Sequence, residues 1–174
     1  VILPISLSAR TKQPLIIAHR GSSSVAPENT LAAFAQAIAD GADGIEFDVQ
    51  LAKDGIPVVI HDANLRRTAR RREAIKSLTS TELASIDVGS WFNRKYPRRA
   101  KPAYANEYIP TLDQVFSLVK QYRKKCVRVY VELKTAGNRD LNVDLAKSAV
   151  DSIQRFEFHH RATVISFSCQ PWRR

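Results

Sequence analysis

Gly44-Ile45-Glu46-Phe47-Asp48-Val49-Gln50-Leu51-Ala52-Lys53-Asp54-Gly55-Ile56-Pro57-Val58-Val59-Ile60-His61-Asp62 is the stretch whose reading decides the fold. Residues 44–51 read as a strand. Lys53-Asp54-Gly55 is a turn signal, and the apolar run 56–60 predicts a further strand. Parallel neighbours need a crossover of about a dozen residues or more, far longer than this turn. Residues 48–60 should therefore fold back as an antiparallel ribbon, bringing His61 beside Glu46 and Asp48. Residues two apart on a strand share a face. Glu46 and Asp48 thus point one way, and Ile45, Phe47 and Val49 the other.

Upstream, the apolar run 15–18 predicts a strand that ends in His19-Arg20-Gly21. Pro27-Glu28-Asn29-Thr30 opens a helix with Leu31, Phe34, Ala35 and Ile38 at helical spacing, and Gly41 is a fitting stop. Downstream, Thr79-Ser80-Thr81-Glu82 has the capping-box pattern before a short helix. Residues 87–108 read as irregular. Thr111 and Gln114 form a second capping box, and Leu112, Val115, Phe116 and Val119 supply that helix with its apolar stripe. Residues 127–133 predict a strand carrying Glu132, with Lys134 just beyond. Residues 141–154 repeat Leu141, Leu145, Ala149 and Ile153 at helical spacing, and 162–167 reads as a fifth strand. Strands alternating with helices argue for an α/β fold with a mostly parallel sheet.

The polar residues at the ends of these strands make a chemical set. Glu46, Asp48 and Glu132 offer three carboxylates, a hard oxygen-rich site suited to Mg²⁺ or Ca²⁺. His19 and His61 would flank it as proton donor and acceptor, since imidazole titrates near neutral pH. Arg20 and Lys134 could stabilise negative charge on a phosphoryl oxygen. Singly, each has a bland reading: an edge pair, a turn histidine, a simple ion pair, or in Asp62 a loop brace. Their combination at strand ends favours a metal-assisted hydrolase.

On these residues the chain resembles the glycerophosphodiester phosphodiesterases, TIM-barrel enzymes of the phosphatidylinositol-phospholipase-C-like group. The resemblance rests on His19-Arg20-Gly21, Pro27-Glu28-Asn29-Thr30, Gly41-Ala42-Asp43, Glu46-Phe47-Asp48-Val49, Lys53-Asp54-Gly55, Val58-Val59, and His61-Asp62 with Leu65 and Arg67-Thr68. It continues through Ile109-Pro110-Thr111-Leu112, Val131-Glu132-Leu133-Lys134 and Ser166-Phe167, so that it covers about residues 15–168. It implies a divalent cation on Glu46, Asp48 and Glu132, acid–base roles for His19 and His61, and phosphate contacts for Arg20 and Lys134. It also implies a glycerol hydroxyl attacking phosphorus, loss of the alcohol, and opening of the cyclic phosphate by water to give sn-glycerol 3-phosphate. Residues 62–108 correspond to a small insertion after the third strand, over the barrel mouth. The expected fold is an α/β (β/α)8 barrel, truncated here at its C-terminus to about five strands. Residues 1–14 would be an extension and 15–174 the incomplete phosphodiesterase domain.

That departure keeps other readings open: an inactive remnant, a basic binding module, or lysophospholipase-D-like activity on the same scaffold. The 174 residues suit one domain, and no stretch is apolar enough to span a bilayer. Either a cytoplasmic or a periplasmic or secreted setting fits. There is no methionine, and the apolar residues 1–9 could be the tail of a signal peptide. Cys126 and Cys169 have no metal-ligand or redox spacing. The net charge is +10. Much of the excess lies between Arg66 and Lys101, as a solvated surface or a landing patch for phosphate-bearing substrates or anionic lipid head groups. No nucleic-acid motif is present, so no nucleic-acid partner is expected. The sequence is silent on oligomeric state.

Overall fold

A computed structural model describes residues 14–122, 127–135 and 139–167. Five strands form one sheet: β1 (Ile17–His19), β2 (Gly44–Leu51), β3 (Pro57–Val59), β4 (Arg128–Leu133) and β5 (Ala162–Ile165). The path β1-β2-β4-β5 is parallel throughout, and β3 joins β2 antiparallel. The ribbon expected from the short turn is present, with Val49 opposite Val59.

The pairing explains where the functional residues gather. β4 lies along one edge of β2 from Gly44 to Val49. The other edge is shared: β1 takes Gly44 to Glu46, and β3 takes Val49 to Leu51 from the opposite direction. The C-terminal ends of β1 and β3 therefore converge on the same part of β2. Ile60 N–H still reaches Asp48 O at 2.9 Å. Gln50 Nε2 donates to the carbonyls of Ile60, His61 and Asp62 at 2.9, 3.0 and 3.0 Å, so the chain leaving β3 is tied to β2.

The two faces of the sheet divide as alternation dictates. Ile45, Phe47 and Val49 are fully buried against α1 (Leu31–Ala39), α5 (Leu112–Gln121) and α6 (Arg139–Arg155). Phe47 meets Phe34 at 5.5 Å and Phe116 at 6.4 Å, both edge-on, and Phe116 stacks on Phe158 at 4.7 Å. The opposite face carries Gly44, Glu46 and Asp48. A Cβ at Gly44 would lie 2.9 Å from Ile17 Cδ1 and 3.1 Å from Tyr130 Cε2. Glycine there lets the neighbouring strands' side chains close beneath the carboxylates.

Helix α1 departs from its expected stripe. Its buried residues are Ala33, Phe34, Ala37 and Ile38, with Leu31 and Ala35 only partly covered. A second cluster accounts for the shift: Ala33 packs with Ala26, Phe92 and Tyr104, so α1 is covered on two sides. Residues 87–108 are not irregular. They form α4 (Ser90–Lys95) and 3-10 turns at Pro97–Arg99 and Pro102–Asn106 around buried Phe92 and Tyr104. Turns this short carry no readable apolar period. The segment between β3 and this region adds α2 (Arg66–Ala69), a 3-10 turn at Ile75–Ser77 and α3 (Ser80–Leu83). Both expected capping boxes are present, Thr79 with Glu82 and Thr111 with Gln114. The expectations on residues 1–9, Cys126 and Cys169 lie outside the described residues. No helix among the described residues is long and apolar enough to cross a membrane.

Candidate active site

The centre of the site is a carboxylate cluster. Glu46, Asp48 and Glu132 each turn one ligand-capable oxygen so that the three lie within 4.8 Å of one another. Strand register does this: Asp48 pairs with Glu132 across β2 and β4, and Glu46 stands two residues before Asp48 on the same face. Asp48 is fully buried, and Glu46 and Glu132 are 9% exposed. Burial pushes the Glu46 carboxyl up to about 7, the neighbouring charges of Asp48 and Glu132 adding to it against the Arg20 N–H bond. Burial would raise Asp48 as well, but hydrogen bonds from Asn29 and Lys134 and the charge of Arg20 override it and hold Asp48 below the usual range.

Two cations serve this cluster directly. Lys134 Nζ sits 2.9 Å from Asp48 Oδ1 and also pairs with Glu132. Burial pulls its ammonium down, but the two carboxylates outweigh that and hold it above its ordinary range. Arg20 donates its backbone N–H to Glu46 Oε2 at 3.0 Å and places its Nε 3.2 Å from Asp48 Oδ2. This requires Arg20 at φ +56 and Gly21 at φ +76, where a Cβ on Gly21 would lie 2.7 Å from the Ala33 carbonyl carbon. The His-Arg-Gly order is thus a left-handed turn that aims an arginine at the acidic centre.

The two histidines sit differently. His19 ends β1 opposite Glu46, its Nε2 3.8 Å from Glu46 Oε2 and its side chain 67% exposed. His61 was expected beside Glu46 and Asp48, but among the described residues no ion pair joins it to either. Its Nδ1 lies 2.8 Å from Asp62 Oδ1 instead. Asp62 Oδ2 accepts from Arg67 Nε at 2.6 Å, and Arg67 grips both oxygens of Glu28 at 2.8 and 2.7 Å. Glu28 Oε1 also accepts from Arg20 at 3.0 Å. A continuous run of ion pairs therefore leads from His61 to Asp48.

Sequence reasoning missed Glu28, Asn29 and Arg67 as parts of the site. Pro27-Glu28-Asn29-Thr30 read as a helix opening, and Thr30 does cap α1, accepting from Ala33 N–H at 3.2 Å. The two residues before it face inward. Asn29, at φ +57, donates from Nδ2 to Asp48 Oδ2 at 2.8 Å. The available signal was an asparagine in a turn followed directly by a capping threonine, since asparagine tolerates the left-handed region.

The three carboxylates fit a divalent cation. Glu46 Oε1 is buried without a hydrogen-bond partner, and hard oxygen donors are what Mg²⁺ or Ca²⁺ prefers. With all three carboxylates ionised, as a bound cation requires, they stand against Arg20 and Lys134 with one negative charge in excess. A divalent cation would reverse this to one positive charge, the complement of a singly charged phosphodiester.

The class so defined is an α/β-barrel protein with an acidic, histidine-flanked site at the carboxyl ends of its strands, where such barrels carry their chemistry. The chain belongs to the glycerophosphoryl diester phosphodiesterase family, whose sequence pattern matches residues 19–173. It is 40% identical over 154 residues to a glycerophosphodiester phosphodiesterase of Caldanaerobacter subterraneus, covering 88% of this chain and 58% of that protein. Among solved structures it is similar to an Oleispira antarctica phosphodiesterase in complex with the product sn-glycerol-3-phosphate. There the TM-score is 0.77 at 34% identity, over 90% of this chain and 58% of that one. A glycerophosphodiester phosphodiesterase of Agrobacterium tumefaciens gives a TM-score of 0.71 at 30% identity, over 88% and 58% of the two chains. The solved relatives are TIM barrels, and the described residues form five strands of that fold.

Proposed function

We propose that this chain carries the centre of a metal-dependent phosphodiesterase that hydrolyses glycerophosphodiesters to sn-glycerol 3-phosphate and an alcohol. The observation that carries the reading is the convergence of Glu46, Asp48 and Glu132 within 4.8 Å. Family membership and the product held by the Oleispira relative support it. In this reading residues 15–174 belong to one phosphodiesterase domain, and 62–108 are its insertion.

Glu46, Asp48 and Glu132 would hold Mg²⁺ or Ca²⁺, which when bound supplies positive charge to a phosphoryl oxygen. Arg20 and Lys134 add their own positive charge to the phosphate's surroundings. His19 and His61 exchange protons with the attacking hydroxyl and the leaving oxygen. The glycerol hydroxyl forms a bond to phosphorus as the alcohol's P–O bond breaks and takes a proton. Water then opens the cyclic phosphate.

The basic surface supports a finer reading, attraction to anionic lipid head groups. Arg94, Lys95, Arg98, Arg99 and Lys101 are exposed and have no carboxylate within ion-pair distance among the described residues. Although aromatics and cations do not interleave regularly in the sequence, they do so in space: Lys95 lies over Trp91 and Tyr96, Arg99 over Tyr96, and Lys101 over Tyr104.

The test is a phosphodiesterase assay on glycerophosphocholine with Mg²⁺ or Ca²⁺, alongside calorimetric titration of the cation. Glu46→Gln is expected to weaken cation binding strongly, and His61→Ala to lower kcat by roughly 10²–10⁴. Cation affinity unchanged in Glu46→Gln would remove the metal assignment. Near-normal turnover in His61→Ala would remove that histidine from the reaction.

A further inference from the structure

The network around His61 is built for orientation. We propose that Glu28, Arg67 and Asp62 form a clamp that fixes the His61 imidazole with its proton on Nδ1, leaving Nε2 as the unprotonated nitrogen that exchanges protons with substrate. The inference rests on the reading of His61 as an acid–base group, and it makes the three clamp members positioning residues.

The argument begins with the 2.8 Å contact between His61 Nδ1 and Asp62 Oδ1. An ionised carboxylate only accepts hydrogen bonds, so the imidazole nitrogen facing it must carry the proton. Asp62 is kept ionised by Arg67, whose Nε donates to Oδ2 at 2.6 Å. Burial alone would raise the Asp62 carboxyl, but Arg67 and His61 hold it below its usual range.

Arg67 is itself immobilised. Its two terminal nitrogens take both oxygens of Glu28 at 2.8 and 2.7 Å, and its guanidinium lies over the Trp91 ring at 5.5 Å. A fork-to-fork pair of this kind fixes direction as well as charge. Glu28 is anchored by Arg20 at 3.0 Å, and Arg20 faces Asp48. The backbone of His61 is held separately, by Gln50 on the carbonyls of residues 60, 61 and 62. Main chain and ring are thus fixed by different partners, and both trace back to the strand that carries the acidic centre. In this tautomer a neutral His61 accepts a proton at Nε2 and returns it when charged, while the Nδ1 proton stays with Asp62.

The tautomer can be read without turnover. The 174-residue chain is labelled with ¹⁵N-histidine, and long-range ¹H–¹⁵N correlations are recorded at about pH 8, where imidazole is mostly neutral. His61→Gln identifies the resonance. The expected wild-type result is the Nδ1–H form. Asp62→Ala should shift His61 toward Nε2–H, and Arg67→Gln should shift it part of the way. Asp62→Asn gives its amide oxygen to Arg67 Nε and turns its NH₂ toward His61 Nδ1, so it too should shift His61 toward Nε2–H. Far-UV circular dichroism checks that each variant folds. Wild-type His61 in the Nε2–H form would overturn the clamp even if Asp62→Ala does not fold, and so would the same tautomer in wild type and a folded Asp62→Ala.

In the phosphodiesterase assay, Asp62→Ala should lower kcat at least roughly 10-fold with little change in KM, up to the roughly 10²–10⁴ expected when the imidazole itself is removed. Arg67→Gln should do likewise, with Arg67→Lys restoring part of the rate. The expected tautomer without any hydrolysis would count against the proposed reaction and leave the clamp standing. Hydrolysis with the wrong tautomer would count against the clamp alone.

Discussion

Glu46 is the residue on which burial and function pull hardest against each other. Its carboxyl is pushed up to about 7 from an ordinary 4.5. Between those values the folded chain binds this proton more tightly than the unfolded chain does. Unfolding free energy therefore falls as pH rises through that window, by roughly 3 kcal/mol in total. A divalent cation needs the carboxylate form and removes the conflict. Thermal unfolding in a chelator should show the melting temperature declining from about pH 5 to pH 7.5. Saturating Mg²⁺ or Ca²⁺ should flatten that decline, and in the chelator Glu46→Gln should decline less steeply than wild type, leaving the contribution of Glu107, whose carboxyl is also raised by burial. Equal slopes in wild type and Glu46→Gln would show that another group is responsible.

Among the elements, α5 carries the packing that holds β2 in place. Thr111 accepts from Gln114 N–H at 3.2 Å, and Gln114 Oε1 accepts from Thr111 N–H at 2.8 Å. That box sets the start of the helix and so the register of its stripe. Phe116 then touches Phe47 on β2, Phe156, and Phe158 beyond α6. Phe116→Ala should cost about 3–5 kcal/mol, because this fully buried ring joins three others, of which Phe47 and Phe158 are fully buried as well. Thr111→Ala should cost about 1 kcal/mol, with Thr111→Ser close to wild type. Denaturant midpoints measure all three. A Phe116→Ala loss no larger than that of Thr111→Ala would mean that α5 is held mainly by its ends.

For the molecule as a whole, the segment that follows β3 and the turn that precedes α1 are joined by charge. Burial alone would raise the carboxyls of Glu28 and Asp62. Arg67 overrides it, assisted by Arg20 at Glu28 and by His61 at Asp62, and both carboxyls lie below their usual range. Depressed carboxylates contribute stability that is present above their unfolded values of 4.5 and 3.8 and is lost as pH falls through the folded ones. Arg67 is 40% exposed, so solvent screens part of the effect. The difference in melting temperature between wild type and Arg67→Gln should be largest near neutral pH and should shrink below about pH 4. A difference that stays constant down to pH 2 would place the contribution of Arg67 in its packing over Trp91 rather than in its charge.

The local code was enough to specify a good deal. Alternation placed Glu46 and Asp48 on one face, the brevity of Lys53-Asp54-Gly55 forced an antiparallel return, and two capping boxes marked helix starts. These features depend on neighbours a few residues apart, where covalent geometry limits the choices. The network that stands behind His61 and Asp62 could not be read that way. Glu28 lies 39 residues from Arg67, and Arg20 lies 26 from Glu46. Which of many charged side chains meet depends on β1 and β3 sharing one edge of β2, and on left-handed backbone at Arg20 and Asn29 turning their side chains inward. The single-turn helices of residues 90–106 were hidden for a related reason: they are stabilised by the burial of Phe92 and Tyr104 against α1, and packing at a distance leaves no period in the sequence.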